Sequence, residues 1–119
     1  MNPIRIKRIY EEEEPADGRR ILVDRIWPRG VSKDKAAVDE WLKEIGPSHE
    51  LRKWFGHKRE NYEEFKDRYM KEVLESEERS RLLRQIRSWA EEGTVTLLYA
   101  AKDRECNQAV VLAELLSSL

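Results

Sequence analysis

Two unbroken apolar runs, far apart in the chain, constrain the fold more than any other feature. The first lies within residues 20–27 around Ile21-Leu22-Val23, and the second within residues 95–101 around Leu97-Leu98. Strands with continuous apolar sequence are typical of parallel sheets, because helices cover both faces of such sheets. We therefore predict two parallel strands, one in each run.

A third strand is predicted at residues 4–10, where Ile4 and Ile6 alternate with Arg5 and Lys7. This alternation is typical of a strand with one solvated side, as found near a sheet edge. Residues 11–19, which follow, contain four consecutive glutamates and end in a Pro-Ala-Asp-Gly turn sequence. Because adjacent carboxylates repel one another, these residues predict a solvated loop.

Between the two apolar runs, apolar side chains recur at the spacing of amphipathic helices. Residues 38–45 are predicted to form a helix that ends at Gly46-Pro47, and Ser48 is predicted to cap a short helix that ends at Gly56. Further helices are predicted at 62–73 and 82–90. A last, largely buried helix is predicted to be capped by Asp103.

Helices that join one parallel strand to the next form a crossover, which is nearly always right-handed. A chain of 119 residues has the size of one domain with one hydrophobic core. The sequence therefore predicts a single-domain α/β protein with a small, mostly parallel three-stranded sheet and helices packed on it. Strand order and oligomeric state do not follow from the pattern.

Composition excludes several classes of protein. The 23 Lys and Arg against 24 Asp and Glu create no overall field that would direct the chain to nucleic acid or a membrane. One Cys and two His, without paired ligand spacing, predict neither a disulfide framework nor a metal site. No cofactor is expected, because no nucleotide-binding glycine motif occurs. The N-terminal residues lack the apolar region of a signal peptide, so a cytoplasmic protein is expected.

The residues that follow the two apolar runs predict an anion-binding pocket. The C-terminal ends of parallel strands lie at one edge of a sheet, where α/β proteins usually bind ligands, and a helix N-terminus there also favours anions. Guanidinium groups suit carboxylate or phosphate. We expect a phosphate-bearing or otherwise anionic small ligand. The predicted ligand-binding residues are Arg25, Trp27, Arg29, Tyr99, Lys102, Arg104 and Asn107.

Whether such a pocket is catalytic does not follow from these residues. If the protein is an enzyme, Asp24 and Asp103 are the candidate general bases. In a purely structural alternative, Arg25 pairs with one of these carboxylates and holds the sheet edge together. In a third alternative, residues 51–59, which interleave basic side chains with Trp54 and Phe55, form a surface for nucleic acid or a protein partner.

Four segments of the chain carry a resemblance to a known family. They are residues 6–10 (IKRIY), 22–32 (LVDRIWPRGVS), 51–57 (LRKWFGH) and 97–103 (LLYAAKD). With these segments the chain resembles the YeaO-like branch of the family designated domain of unknown function 488, over nearly its whole length. The resemblance implies a small cytoplasmic α/β protein and brings no established activity.

Overall fold

The sheet contains four strands, one more than predicted. The computed structural model, which describes all 119 residues, has β1 at Ile4–Arg8, β2 at Arg19–Leu22, β3 at Glu40–Trp41 and β4 at Val95–Tyr99. The strand order is β1-β4-β2-β3, and every neighbouring pair is parallel. The predicted α/β class with a parallel sheet is confirmed, and β1 lies at a sheet edge as expected.

The additional strand, β3, lies inside residues 38–45, so the helix predicted there is wrong. β3 pairs with Ile21 and Leu22 of β2, and the 3-10 turn Lys43–Ile45 follows it. A short strand and a tight turn bury the same positions as two turns of helix. Four apolar residues are therefore too few for their spacing to identify a helix.

Five α-helices accompany the sheet: α1 Lys33–Ala36, α2 His49–Phe55, α3 Tyr62–Glu75, α4 Glu77–Glu92 and α5 Gln108–Ser117. Ser48 caps α2 by accepting a hydrogen bond from the N–H of Leu51 at 3.2 Å, and Gly56 ends this helix in the left-handed conformation, as predicted. None of the helices is both long and apolar enough to cross a membrane.

The last helix, α5, begins later than predicted. Asn107 caps it by accepting from the N–H of Val110 at 3.1 Å, so the prediction that Asp103 is the cap is wrong. Asp103 instead accepts from the N–H groups of Glu105 and Cys106 within the turn that precedes the helix. Both Asn and Asp are good caps, and the sequence alone does not show which of them closes this turn.

The two faces of the sheet are covered differently. Side-chain alternation directs Ile21 and Leu97 into a core of 19 buried residues that includes side chains of α3, α4 and α5. Leu22 and Leu98 point to the other face, where the apolar cluster contains only four buried residues. Because both faces are covered, consecutive residues of the central strands, Ile21-Leu22 in β2 and Leu97-Leu98 in β4, are apolar.

The loop between β1 and β2, predicted to be solvated, contains a buried carboxylate. Asp17 is completely buried and accepts from Lys7 Nζ at 3.1 Å and from Arg20 Nη1 at 2.6 Å. Gly18 has a φ of 63°, and a Cβ there would collide with the carbonyl oxygen of Thr94, so only glycine fits at this close approach. The prediction of a solvated loop is therefore wrong at Asp17, because Arg5 and Lys7 of β1 and Arg20 of β2 compensate its burial.

Candidate functional site

A cleft of about 550 Å³ opens at the C-terminal ends of β2 and β4. Residues 24–28 after β2 and residues 100–103 after β4 line it, together with side chains from α2 and the start of α5. We call it the strand-end cleft. Because β2 and β4 are parallel neighbours, the loops that follow them meet at one edge of the sheet.

Asp24 connects the two strand ends. Its Oδ2 accepts from the N–H of Ala100 at 2.9 Å, its Oδ1 accepts from the amide of Gln108, and its backbone oxygen accepts from Trp41 Nε1 at 2.8 Å. Burial raises the pKa of Asp24 to about 6, although these hydrogen bonds and the nearby Arg52 oppose the increase. The hydrogen bonds and Arg52 thus offset only part of the cost of burying this carboxylate.

Arg25 lies in the cleft without a carboxylate partner. Its Nε donates to the carbonyl of Pro47 at 3.3 Å. A Cβ on Gly46 would lie 3.2 Å from the backbone nitrogen of Arg25, so the missing side chain lets the two segments pack closely. Residues 45–47 are themselves held by Tyr69, whose hydroxyl donates to the carbonyl of Ile45 at 2.6 Å. The structure thus positions the backbone at Arg25 and leaves its guanidinium free of ion pairs.

Two further cations, Arg52 and Lys102, also line the cleft, together with His57. The one side-chain hydrogen bond of Arg52 is with His49, with 3.3 Å between Nη2 and Nδ1, and neither cation forms an ion pair. His57 has a φ of 58°, in the left-handed region that few residues other than glycine adopt. This backbone conformation, directly after Gly56, turns the chain from the end of α2 to the rim of the cleft.

Asp103 is fully engaged within the protein. Its two oxygens accept from Arg59, Oδ2 from Nε at 2.7 Å and Oδ1 from Nη2 at 2.9 Å. The Arg59 guanidinium holds the pKa of this carboxyl below its usual range, assisted by the backbone N–H of Glu105. Asp103 therefore adds little net charge to the cleft, because Arg59 neutralises it.

Apolar side chains form the rest of the cleft wall. Trp27 packs edge-on against Trp41, with ring centroids 5.3 Å apart, and its Nε1 donates to the carbonyl of Val31 at 2.7 Å. Phe55 and Phe65 stack with a centroid separation of 4.2 Å. Ile26 is 62% exposed at the cleft. The cleft thus combines unpaired cations with a large apolar surface.

Some predicted ligand-binding residues lie outside the cleft. Tyr99 is 1% exposed and belongs to the core, and the side chain of Asn107 is used in capping α5. Arg104 pairs with Glu11 at 2.9 Å. Arg29 is exposed beyond the cleft-lining residues. Of the seven predicted residues, the structure brings Arg25, Trp27 and Lys102 together, along with Asp24 and Asp103.

Two cleft residues, Arg52 and Gln108, were not among the predicted pocket residues. Arg52 was assigned to the alternative surface at residues 51–59, and Gln108 directly follows a predicted position. The local signal for Arg52 is the short helix α2, which ends at Gly56 and redirects the chain. That signal does not show that α2 faces the ends of β2 and β4, which depends on tertiary packing.

The alternative surface is divided between different contacts in the structure. Arg52, Phe55 and His57 line the cleft, whereas Arg59 pairs with Asp103. Trp54 is 37% exposed and lies under the guanidinium of Arg68, 4.5 Å from the ring centroid. The basic and aromatic side chains of residues 51–59 therefore make several different contacts within the protein.

The fold and cleft together define a small parallel α/β protein with a cationic, apolar-walled cleft at its strand ends. The chain belongs to the DUF488 family: residues 3–119 match the family model described as "Inactive DUF488-N3 subclade". It is 47% identical to the uncharacterized protein YeaO of Escherichia coli K12, over 98% of each chain. It is also 40% identical to the uncharacterized protein Rv3073c of Mycobacterium tuberculosis H37Rv, over 96% of this chain and 93% of the other. No solved structure shows significant similarity.

Proposed function

We propose that the strand-end cleft binds a small anionic ligand that carries a phosphate group. The observation that supports this function is the convergence of Arg25, Arg52 and Lys102 on one cleft, none of them in an ion pair. Arginine presents a planar set of donors that matches phosphate oxygens, and lysine adds a compact charge.

The charge of the cleft matches a phosphate monoester better than a singly charged anion. The three cations are opposed by Asp24, which is largely ionised above a pKa of about 6, while Arg59 already neutralises Asp103. About two positive charges therefore remain, and a phosphate monoester carries about −1.5 to −2 at neutral pH. A ligand of that charge would neutralise the cleft.

We further propose that the ligand is bound without being chemically changed. Arg59 holds both oxygens of Asp103, and Asp24 joins the loop after β2 to Ala100 and Gln108, so both carboxylates have structural roles in the protein. The word "Inactive" in the description of the matching family agrees with this proposal.

Titration calorimetry with inorganic phosphate tests the proposed binding. The double variant Arg25→Gln, Arg52→Gln should bind phosphate at least about tenfold more weakly, because it loses two charge-assisted contacts. The matched control is Lys53→Gln, Lys58→Gln, which removes the same charge from exposed positions outside the cleft and should bind as the wild type does. Equal losses in the two double variants, or no binding by the wild type, would contradict the proposal.

The Lys53→Gln, Lys58→Gln variant and the single variant Arg25→Gln test the alternative of a nucleic-acid surface. If residues 51–59 bind a polynucleotide, affinity for a single-stranded oligonucleotide should fall steeply with salt. The loss should then be larger in the Lys53, Lys58 variant than in Arg25→Gln alone. The cleft proposal gives the opposite order for phosphate, so the two functions are separable in one set of proteins.

A further inference from the structure

The apolar part of the strand-end cleft is larger than an inorganic anion requires. A volume of about 550 Å³ lies within the roughly 300–1,000 Å³ of typical small-molecule sites. Ile26, Trp27, Phe55 and Phe65 contribute to its lining, and Ile26 keeps 62% of its surface exposed. Phosphate alone would contact the cations and leave this apolar surface in water.

Ile26 directly follows Arg25, so an apolar side chain and a ligand-binding cation stand side by side on one loop. A large aliphatic residue that is mostly exposed gains only a small part of the free energy that full burial would give. Its exposure decreases only if something apolar covers it. A ligand whose phosphate contacts Arg25 would place the remainder of the molecule against this neighbouring surface.

The cleft also offers unused hydrogen-bonding groups beside its apolar wall. Gln108 donates one amide hydrogen to Asp24, and the protein leaves its second hydrogen and its carbonyl oxygen without partners. Each oxygen of Asp24 accepts one bond from the protein and retains a lone pair. Donors and acceptors at the margin of an apolar wall suit the edge of a flat polar ring.

We infer that the ligand is a phosphate monoester that carries a flat aromatic ring, with its phosphate on Arg25 and Arg52 and its ring on the apolar wall beside Ile26. This inference rests on the proposed function and names the chemical class of its ligand. Nucleoside monophosphates and simple aryl phosphates share this chemistry.

Four compounds tested by calorimetry separate the contributions of phosphate and ring. Inorganic phosphate and ribose 5-phosphate carry the anion without an aromatic ring, whereas phenyl phosphate and adenosine monophosphate carry both. The two aromatic compounds should bind at least about tenfold more tightly than ribose 5-phosphate. Removing an aromatic ring from water on the apolar wall contributes enough binding free energy for a difference of that size. If adenosine monophosphate binds more tightly than phenyl phosphate, the ligand is a nucleotide. If phenyl phosphate binds more tightly, the ligand is an aryl phosphate.

Ile26→Ser provides the matching test in the protein. This variant should reduce the advantage of the aromatic compounds severalfold and leave the affinity for inorganic phosphate unchanged. Leu74→Ser is the control, because Leu74 is 56% exposed on α3 and does not line the cleft.

The two proposals fail in different ways. Aromatic compounds that bind no more tightly than ribose 5-phosphate, while phosphate still depends on Arg25 and Arg52, would overturn the inference alone. Phosphate binding that is absent, or unaffected in the Arg25, Arg52 double variant, would overturn the proposed function and the inference with it.

Discussion

Two carboxylates at opposite ends of β2 have pKa values that are shifted in opposite directions. Before the strand, Asp17 is completely buried, yet hydrogen bonds from Glu14 N–H, Lys7 and Arg20 outweigh the effect of burial and hold its pKa below the ordinary value. After the strand, burial raises the pKa of Asp24 to about 6, because its hydrogen bonds do not compensate fully.

The same contrast holds for the basic side chains nearby. Lys7 and Arg20 direct their charges at Asp17, whereas Arg25 and Arg52 have no ion-pair partner in the cleft beside Asp24. Polar groups left unsatisfied at one end of the sheet, while those at the other end are paired, support the proposed binding function.

The largest expected effect is the loss of stability in Asp17→Asn. This change keeps the size of the side chain but removes the only carboxylate that pairs with the buried Arg20 and leaves Lys7 with only the exposed Glu14, so the free energy of unfolding should fall by about 3–5 kcal/mol. Urea denaturation at neutral pH measures it. Glu14→Gln, which alters a 55% exposed partner of the same cluster, should cost less than about 1 kcal/mol. A cost below about 1 kcal/mol for Asp17→Asn would show that the cluster is not a structural ion network.

Asp24→Asn should instead increase the free energy of unfolding at neutral and higher pH. The folded-state pKa of Asp24, about 6, exceeds its ordinary 3.8, so this group lowers stability as the pH rises between these values. At about pH 8 the penalty is up to about 3 kcal/mol, and Asp24→Asn should remove it. Below about pH 3.5, where Asp24 is protonated in both states, wild type and variant should agree closely.

Denaturation curves of both proteins between about pH 3.5 and pH 8 measure this difference. Because the two proteins differ only at position 24, the contributions of groups common to both cancel in the comparison. Asp17 contributes in the opposite direction, since its stabilising effect is present above its unfolded-state pKa and is lost as the pH falls through its lower folded-state pKa. A variant less stable than its parent at about pH 8 would contradict the account of Asp24.

The sequence predicts the surroundings of Asp24 better than those of Asp17. Asp24, Arg25 and Lys102 follow apolar strands, and parallel pairing alone brings such positions to one edge. Asp17 belongs to a glutamate-rich stretch that suggests solvent, and its burial depends on Lys7 and Arg20, whose side chains share one face of the sheet. Predicting that these side chains meet on one face requires the register of the strands, which the sequence pattern does not show.

The other differences between the sequence predictions and the structure have the same physical origin. Tyr99 follows the pattern of a strand-end residue, but side-chain alternation directs it into the core. The position of Arg52 in the cleft depends on how α2 packs, and β3 is a two-residue strand too short for any periodic signal. Local sequence therefore predicts the strand ends, and long-range packing decides which side chains meet there.

A smaller effect is expected from Gly46→Ala. The added Cβ would lie 3.2 Å from the backbone nitrogen of Arg25 and 3.3 Å from its Cβ, so the loop after β2 must shift slightly. We expect a stability loss of about 1–2 kcal/mol from overpacking, with weaker phosphate binding because Arg25 moves. Gly93→Ala, where nothing lies within 4 Å of the added Cβ, is the control for the substitution itself. Unchanged phosphate affinity in Gly46→Ala would show that this packing does not position Arg25.

The smallest expected effect on stability, in Arg25→Gln, separates a binding residue from a structural one most directly. Arg25 makes one long hydrogen bond, to the carbonyl of Pro47 at 3.3 Å, and no ion pair, so its loss should cost less than about 1 kcal/mol. Arg20→Gln is the comparison, since it leaves Asp17 without its 2.6 Å partner and should cost several times more. Urea denaturation of both variants beside the wild type measures this difference. If Arg25→Gln proved as destabilising as Arg20→Gln, Arg25 would be holding the sheet edge together, and the contrast between the two ends of β2 would disappear.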